Sequence, residues 1–572
     1  AAGVSNTFDI NCTTVSTQFI HNNGRFQTDA AGHFSINANG AAFYKIITNA
    51  SSGGDLKLTE NTTIEKEIVN GSGDPILLTG GRTYTFGTDS DNADINEAIR
   101  AVDGSGTVTV TAANQLYPVN INQWDDLPRD LNVNLKWANV TLDKTSTFIG
   151  SGRTLTLTGD CEFDAVTVAS NTTLDLNGQR MECSGNFTAS SGTCNVDFGA
   201  GMLIASRLNI TGGTFTGEVG ADLIVTGTTA GDNITLDDST MTGDATTNLF
   251  LNNGSTSCDW YSSDNYAGNV IVGSGTFRSQ STDSNKCNNL TIATGATFDA
   301  DNDLITVAGD FTTSGGLLGA SCITLDGSDE HYQTSGDVAV GTNASWTIEG
   351  WLKRDLDVGG NEVFVELRKD GSNDNRVWFN IDNDDVQMLI YSNSGSLGLA
   401  TTHGQGLNDG KWHHLACTYD STTAKIYIDG KLITSEVISK AMDNTDDRTI
   451  SIGANVGTYA NGTTGSIDEV RIWSDVRTVG EIRTNMFKSG YANLKLEDGT
   501  TASFAGLVAA WDFNEGTGST ATNLEDGTPN TALNLTAKDG GSTESAGFWA
   551  GAGTFTYGTS DLVMTGSSKK IN

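Results

Sequence analysis

The feature that most limits the folds open to this chain is self-similarity within its first 318 residues. Phe163-Asp-Ala-Val-Thr-Val168 aligns with Cys287-Asn-Asn-Leu-Thr-Ile292, and both copies run on without a gap to Gly185-Asn-Phe-Thr188 and Gly309-Asp-Phe-Thr312. Thr173-Leu-Asp175 falls on Thr297-Phe-Asp299, and Cys183 on Val307. Looser copies begin at Arg207-Leu-Asn-Ile-Thr211, passing through Leu223-Ile-Val-Thr-Gly227, and at Phe43-Tyr-Lys-Ile-Ile47, reaching Asp55-Leu-Lys-Leu58. Each unit is a set of short alternating strands separated by Gly, Asn, Asp and Ser, and alternation gives each strand one apolar face. Units this short cannot bury that face alone and must stack on their neighbours, which predicts a β-solenoid. At roughly 20–25 residues per coil and about 4.8 Å per coil, the region would form a rod of roughly 60–70 Å. Irregular repeat spacing leaves stacked β-sandwiches as the competing arrangement.

Composition agrees with an all-β chain: 4 Pro, 68 Gly, and little helical periodicity. At 572 residues, more than one domain is expected. A formal charge of −37 argues against nucleic acid as a partner, because a polyanion would be repelled. No run of about twenty apolar residues is present to span a membrane as a helix. The sequence begins at Ala1 without an initiator Met, so either a leader has been removed or the chain is part of a longer product.

The 8 cysteines include no C-x-x-C pair, which argues against a zinc cluster. Buried free thiols and disulfides both remain open, with Cys258–Cys287 and Cys183–Cys194 as the candidate bridges. Sequons such as Asn171-Thr-Thr carry little weight in a chain this rich in Asn and Thr. Two helices are expected. Asp94-Ile-Asn-Glu97 has capping-box spacing, with Ile95, Ala98, Ile99 and Val102 at helical period, predicting a short helix near 94–103. Thr478 and Glu481 form a second capping box, with Val479, Ile482 and Met486 on one face, predicting a helix over Val479–Phe487. The stretch 112–137 breaks the alternation and reads as a loop or lateral excursion.

A different pattern starts near residue 319. In Lys411-Trp-His-His-Leu-Ala-Cys-Thr-Tyr-Asp420 and Lys425-Ile-Tyr-Ile-Asp-Gly-Lys431, period-two alternation marks two strands, and Asp429-Gly430 supplies the turn. This resembles the G-x-W-H-H … h-Y-h-D-G-K core of laminin-G-like, concanavalin-type jelly rolls. Cys322-Ile-Thr-Leu-Asp-Gly-Ser-Asp-Glu-His-Tyr332 resembles the opening strand of that family. Ser345-Trp-Thr-Ile-Glu-Gly-Trp-Leu-Lys353 resembles its F-T-I-x-x-W-V-K motif, and Gly465-Ser-Ile-Asp-Glu-Val-Arg-Ile-Trp473 its G-x-I-D-E-V-R-I-Y motif. Gly506-Leu-Val-Ala-Ala-Trp-Asp-Phe-Asn-Glu-Gly516 resembles a segment that often precedes the opening strand, but here it follows the helix. Thr554-Phe-Thr-Tyr557 and Asp561-Leu-Val-Met-Thr-Gly566 then return to solenoid-like alternation. The expected organisation is therefore a solenoid-like region over 1–318, a laminin-G-like jelly roll over 319–552, and an assembly segment over 553–572. The last twenty residues, or the first, are expected to pair with another chain or a continuation, because an unpaired strand edge is rarely tolerated.

Catalytic signatures are sparse. Glucanases on this fold carry E-x-D-x-E, which places two carboxylates on one strand face. Here Asp468 and Glu469 are adjacent, so in a regular strand they would point to opposite faces, and the second glutamate is missing. No G-x-S-x-G or H-E-x-x-H occurs. His413 and His414 also alternate, and each reads more readily as a packed strand residue than as a ligand. The family resemblance implies a structural Ca²⁺ at Asp326 and Asp468, with Asp329 or Glu469 nearby, against the plainer reading of a turn and a backbone cap. It also implies recognition of glycans or protein surfaces, for which Trp378, Tyr391 and Tyr459 are the candidate aromatics. Together these readings describe a non-enzymatic extracellular surface protein, a subunit of a virion fibre or decoration or of a cell-surface filament. Its partners would be further copies of itself and surface glycans. The alternatives are a secreted Ca²⁺-dependent carbohydrate-binding adhesin and a polysaccharide-degrading enzyme.

Overall fold

The computed structural model describes residues 6–149 as separate strand segments and residues 154–565 more continuously, the longest undescribed stretches in the latter being 439–447 and 490–505. It forms two compact units, residues 1–227, 232–247 and 260–267 in one and residues 228–231, 248–259 and 268–572 in the other.

The first unit is a β-solenoid, not a sandwich, because its strands pair in parallel with the equivalent strand of the next coil. Leu135 faces Leu155, Leu155 faces Leu174, Leu174 faces Val196, and Val196 faces Phe215. The spacings from Leu155 onward (174 − 155 = 19, 196 − 174 = 22, 215 − 196 = 19) give the coil length directly. Leu155, Leu174, Val196 and Phe215 are buried, while Asn195 and Asp197 on the opposite face are exposed. Turn residues tie successive coils: Asn177 takes positive φ, and its Nδ2 donates to the Leu157 carbonyl at 3.1 Å.

Where a helix is expected near 94–103, the described residues are strand instead. Asp94–Ile95 is a strand pairing in parallel with Glu67–Ile68 and Asn120–Ile121, and Ile99–Ala101 pairs with Ile76–Leu78. Neighbouring coils offer a ready ladder to this backbone, and Ile95 and Ile99 are β-branched, so tertiary pairing overrides a local capping signal. Within 112–137, Val119–Ile121 and Asn134–Ala138 are likewise strands of the stack, and residues 122–133 lie outside the described residues. Cys183 and Cys194 are buried and not in disulfides, as are Cys161, Cys287, Cys322 and Cys417, so neither candidate bridge forms. Cys183 occupies a ladder position between Phe163 and Ala205, where an apolar side chain would serve equally well.

In the second unit three further parallel ladders run Val270–Leu290–Phe311, Phe277–Phe298–Phe555 and Cys287–Val307–Met564. The last rung of two of these comes from Thr554–Thr556 and Leu562–Met564, so the jelly roll is an insertion between consecutive coils of one solenoid. The chain-end strands therefore find partners inside their own chain on one edge. Exit and re-entry are adjacent, since Gly553 N donates to the Thr313 carbonyl at 2.8 Å. Gly315, at φ 114°, has no room for a Cβ beside the Gly551 carbonyl.

The inserted jelly roll has two antiparallel sheets. One is ordered Ile323–Asp326, Thr464–Trp473, Trp346–Arg354, Trp412–Tyr419, Thr423–Ile428 and Lys431–Val437. Leu507–Trp511 shares the outer edge of Thr464–Trp473 with the opening strand, which explains how a segment late in sequence joins this domain. The other runs from Leu397–Thr401 through Asp385–Tyr391, Val377–Asp382, Asn361–Arg368, Thr449–Ile452 and Glu330–Thr334 to Leu535–Asp539 and Thr520–Ala521. Ile348, Phe364, Phe379, Met388, Leu415, Ile426 and Trp511 fill the space between them. The helix Val479–Met486 forms as expected, with Glu481 N donating to Thr478 Oγ1 at 3.2 Å and Thr478 N donating to Glu481 Oε2 at 2.9 Å. Thr478→Ala is expected to cost about 1 kcal/mol in urea unfolding, the usual value of an N-cap.

Candidate functional site

The two sheets of the jelly roll present unlike outer faces. On the first, Ile482 and Val479 of the helix pack over Ala416 and Tyr427, and Trp351 Nε1 donates to the Met486 carbonyl at 2.6 Å. Phe250, from a solenoid coil, lies edge-on to Trp351 and Phe487 at 5.5 and 5.2 Å. Asn252 beside it bonds both the N and the O of Trp412, at 3.1 and 2.8 Å. That face is closed.

Asp468 and Glu469 belong to it. A β-bulge at Glu469, whose φ is +51°, breaks the alternation and brings both carboxylates to the outer side. The expectation that they face opposite ways fails for that reason. Asp468 Oδ2 accepts from Leu317 N at 2.9 Å and Oδ1 from Glu469 N at 2.9 Å, while Glu469 Oε2 pairs with Arg471 at 3.0 Å. Burial, with Glu469 beside it, pushes the Asp468 carboxyl well above the usual range. Burial pushes Glu469 up to about 7 against the pull of Arg471. Asp326 is on a different part of the fold, paired with Thr464 some four residues along the strand, and exposed. Its Oδ1 accepts from Ser328 N in a local turn at 2.9 Å, and its acidic neighbours are Asp329, Glu330 and Asp539. Asp326, Asp468 and Glu469 are thus not brought together, and they do not fit a shared Ca²⁺. Among the described residues no group of three or more His, Cys, Asp or Glu side chains is placed to hold a metal.

The outer face of the second sheet is open at one end. Cross-strand register sorts it into rows: Tyr391 opposite Leu397; Trp378 opposite Leu389, opposite Leu399; Asn380 opposite Gln387, opposite Thr401; and Asp382 opposite Asp385. Leu397 and Leu399 are 46% and 44% exposed, and Trp378 and Tyr391 are half-buried. The Arg376 guanidinium sits 4.4 Å from the Trp378 ring centre and 5.5 Å from that of Tyr391. It is fixed by Glu366 Oε1 at 2.5 Å and Asn455 Oδ1 at 3.4 Å. The structure therefore brings Trp378 and Tyr391 together around one cation, a contact that sequence spacing could not reveal. Tyr459 stands apart, stacked on His331 at 5.4 Å, three strands or about 14 Å away across the sheet.

Two antiparallel sheets, the W-H-H hairpin and the D-E-V-R strand define a laminin-G-like, concanavalin A-like jelly roll carried on a β-solenoid. Residues 326–483 match the family model described as the concanavalin A-like lectin/glucanases superfamily. Among solved structures, the chain is similar to a Bacteroides ovatus protein proposed to bind carbohydrate, at 19% identity and TM-score 0.28, over 38% of this chain and 58% of that one. It is also similar to the CBM40 of the Ruminococcus gnavus IT-sialidase bound to alpha2,3 sialyllactose, at 16% identity and TM-score 0.25, over 29% and 96%. A third is the SAP-like pentraxin of Limulus polyphemus, at 13% identity and TM-score 0.21, over 28% and 81%. The chain thus spans a little over half the length of the first of these. No curated protein sequence matches the chain.

Proposed function

We propose that this chain is a non-catalytic extracellular surface protein in which a β-solenoid carries a glycan-binding jelly roll. The observation that supports this best is the asymmetry of the insertion: one outer face is covered by helix and coil, and the other exposes Leu397 and Leu399 beside the half-buried Trp378, Tyr391 and Gln387. Such a face suits a ligand with both apolar and hydrogen-bonding surfaces, as sugars have. The absence of a catalytic role fits the burial of Glu349, Asp468 and Glu469, carboxylates that are hydrogen-bonded or ion-paired beneath other elements instead of lining a groove.

A structural role for the solenoid, in a virion fibre or a cell-surface filament, is favoured by its coil stacking. Leu562–Met564 pairs with Ile305–Val307 on one edge and has no strand on its other edge among the described residues, so a further coil or a second copy can add there. Two measurements test the reading. A glycan array probed with the full chain is expected to show saturable binding that Trp378→Ala reduces at least tenfold; no binding to any glycan would remove the lectin role. Electron microscopy with mass measurement is expected to show regular end-to-end assemblies, and a dispersed monomer would remove the filament role.

A further inference from the structure

We infer that the open face takes a neutral, hydroxyl-rich pyranose and discriminates against the same sugar carrying a carboxylate. This rests on the glycan-binding reading above and adds the chemical class of the ligand. Three features of the face lead to it.

The first is an apolar strip. Trp378, Leu389 and Leu399 are cross-strand neighbours in one row; Leu389 is buried between them, and the half-buried Trp378 and exposed Leu399 offer a surface for the C–H face of a ring. The second is the adjoining amide row. Asn380 is fully buried; its Nδ2 is used by Asn361 Oδ1 at 2.5 Å and Gln387 Oε1 at 3.4 Å, but its Oδ1 has no partner. That oxygen lies beneath the surface, and the polar groups of the row that a ligand hydroxyl can reach belong to the half-buried Gln387 and Thr401. Trp378 Nε1, in the neighbouring row, is a donor without a partner.

The third feature is charge. The row beyond the amides is Asp382 opposite Asp385, with Asp384 in the connecting turn, so hydroxyls find acceptors there and a carboxylate is repelled. The cations at the other end are already engaged. Arg376 is held by Glu366 and Asn455, and Arg368 Nη1 donates to the Val456 carbonyl at 3.2 Å. An anionic sugar would meet Asp382, Asp384 and Asp385, of which Asp384 lies 3.9 Å from Arg354 and Asp385 3.8 Å from His403, and no uncommitted Arg or Lys among the described residues of these rows.

The experiment is calorimetry on the full chain with a panel of neutral di- and trisaccharides, lactose included, set against 3′- and 6′-sialyllactose. Neutral members are expected to bind, with the sialylated forms at least tenfold weaker than the best of them. Leu399→Asp, at an exposed position, and Gln387→Ala are each expected to weaken neutral-sugar binding at least tenfold. Asp382→Asn with Asp385→Asn is expected to narrow the gap between neutral and sialylated ligands. Sialyllactose binding as tightly as the best neutral sugar would overturn this inference and leave the glycan-binding reading standing. No binding by either set would overturn both. Neutral-sugar binding unchanged in Leu399→Asp, with an unaltered Tm, would move the site off this face.

Discussion

Replacing Phe250 by alanine is expected to destabilise the jelly roll by about 3–5 kcal/mol, although Phe250 belongs to the solenoid. Its ring is buried and edge-on to both Trp351 and Phe487, which are themselves 5.0 Å apart, so truncation opens a cavity lined by three elements. The neighbouring coil cannot collapse into it without rearrangement. Gly273 lies directly against the Phe250 ring, and a Cβ there would collide with it. Around this contact, Ser274 Oγ donates to Asn252 Oδ1 at 2.8 Å, holding the amide that pairs with Trp412. Lys353 Nζ donates to the Thr294 carbonyl at 3.0 Å, and Asp468 accepts from Leu317. Urea unfolding followed by tryptophan fluorescence would read the loss, with Val437→Ala, an exposed edge position, as the near-neutral control. The pair Phe250→Ala and Trp351→Ala should be markedly non-additive, because the two rings share one contact. A cost below about 1 kcal/mol would mean that coil and jelly roll are merely adjacent.

That junction also marks where reading the sequence stops. Coil repetition, the W-H-H hairpin and the Thr478–Glu481 cap were legible because each is a short-range pattern: alternation, a turn dipeptide, an i,i+3 pair. The stretch from Asp94 to Val102 carried an equally good local helix signal, yet Asp94–Ile95 and Ile99–Ala101 within it are strands, because the competing parallel ladder is supplied by neighbouring coils. The Glu469 bulge was hidden since nothing in Ser466-Ile-Asp-Glu-Val470 signals a non-glycine residue at positive φ, yet it decides where both carboxylates point. Asn252 looks like any solenoid turn residue until Trp412, 160 positions later, presents its backbone to it. At the candidate binding face, Trp378 and Tyr391 were identifiable as aromatics. Their junction through Arg376, and the stranded Asn380 oxygen, depend on the register of three strands.

The two adjacent histidines of the hairpin are expected to limit stability from opposite ends of the pH scale. His413 lies between Asp429 Oδ2 at 2.8 Å and Asp409 Oδ1 at 3.2 Å. Burial opposes its positive charge, but the two carboxylates outweigh burial and push the pKa up to about 10. His414 points the other way, into the closed face. Its ring is edge-on to Trp351 at 5.3 Å, and burial, helped by Arg471, lowers its pKa to about 3. A raised folded-state pKa means that the folded chain holds a proton the unfolded chain releases. The His413 contribution is therefore complete below about pH 6.5 and is lost as pH rises toward 10, with a limiting slope of about 1.4 kcal/mol per unit. The depressed value of His414 reverses the sign, and stability falls as pH drops from about 6.5 toward 3, because the unfolded chain takes up a proton that the buried ring refuses. Glu469, raised to about 7, runs against that acid slope, so the His414 effect is read as a difference from a variant. His413→Gln should lower stability at neutral pH and flatten the alkaline limb. His414→Phe, which keeps the packing on Trp351, should leave neutral stability little changed and remove the acid penalty. Thermal unfolding from pH 4 to 10 distinguishes these outcomes; a His413→Gln curve parallel to wild type above pH 7 would show that the Asp429–His413–Asp409 bridge does not carry a proton into the alkaline range.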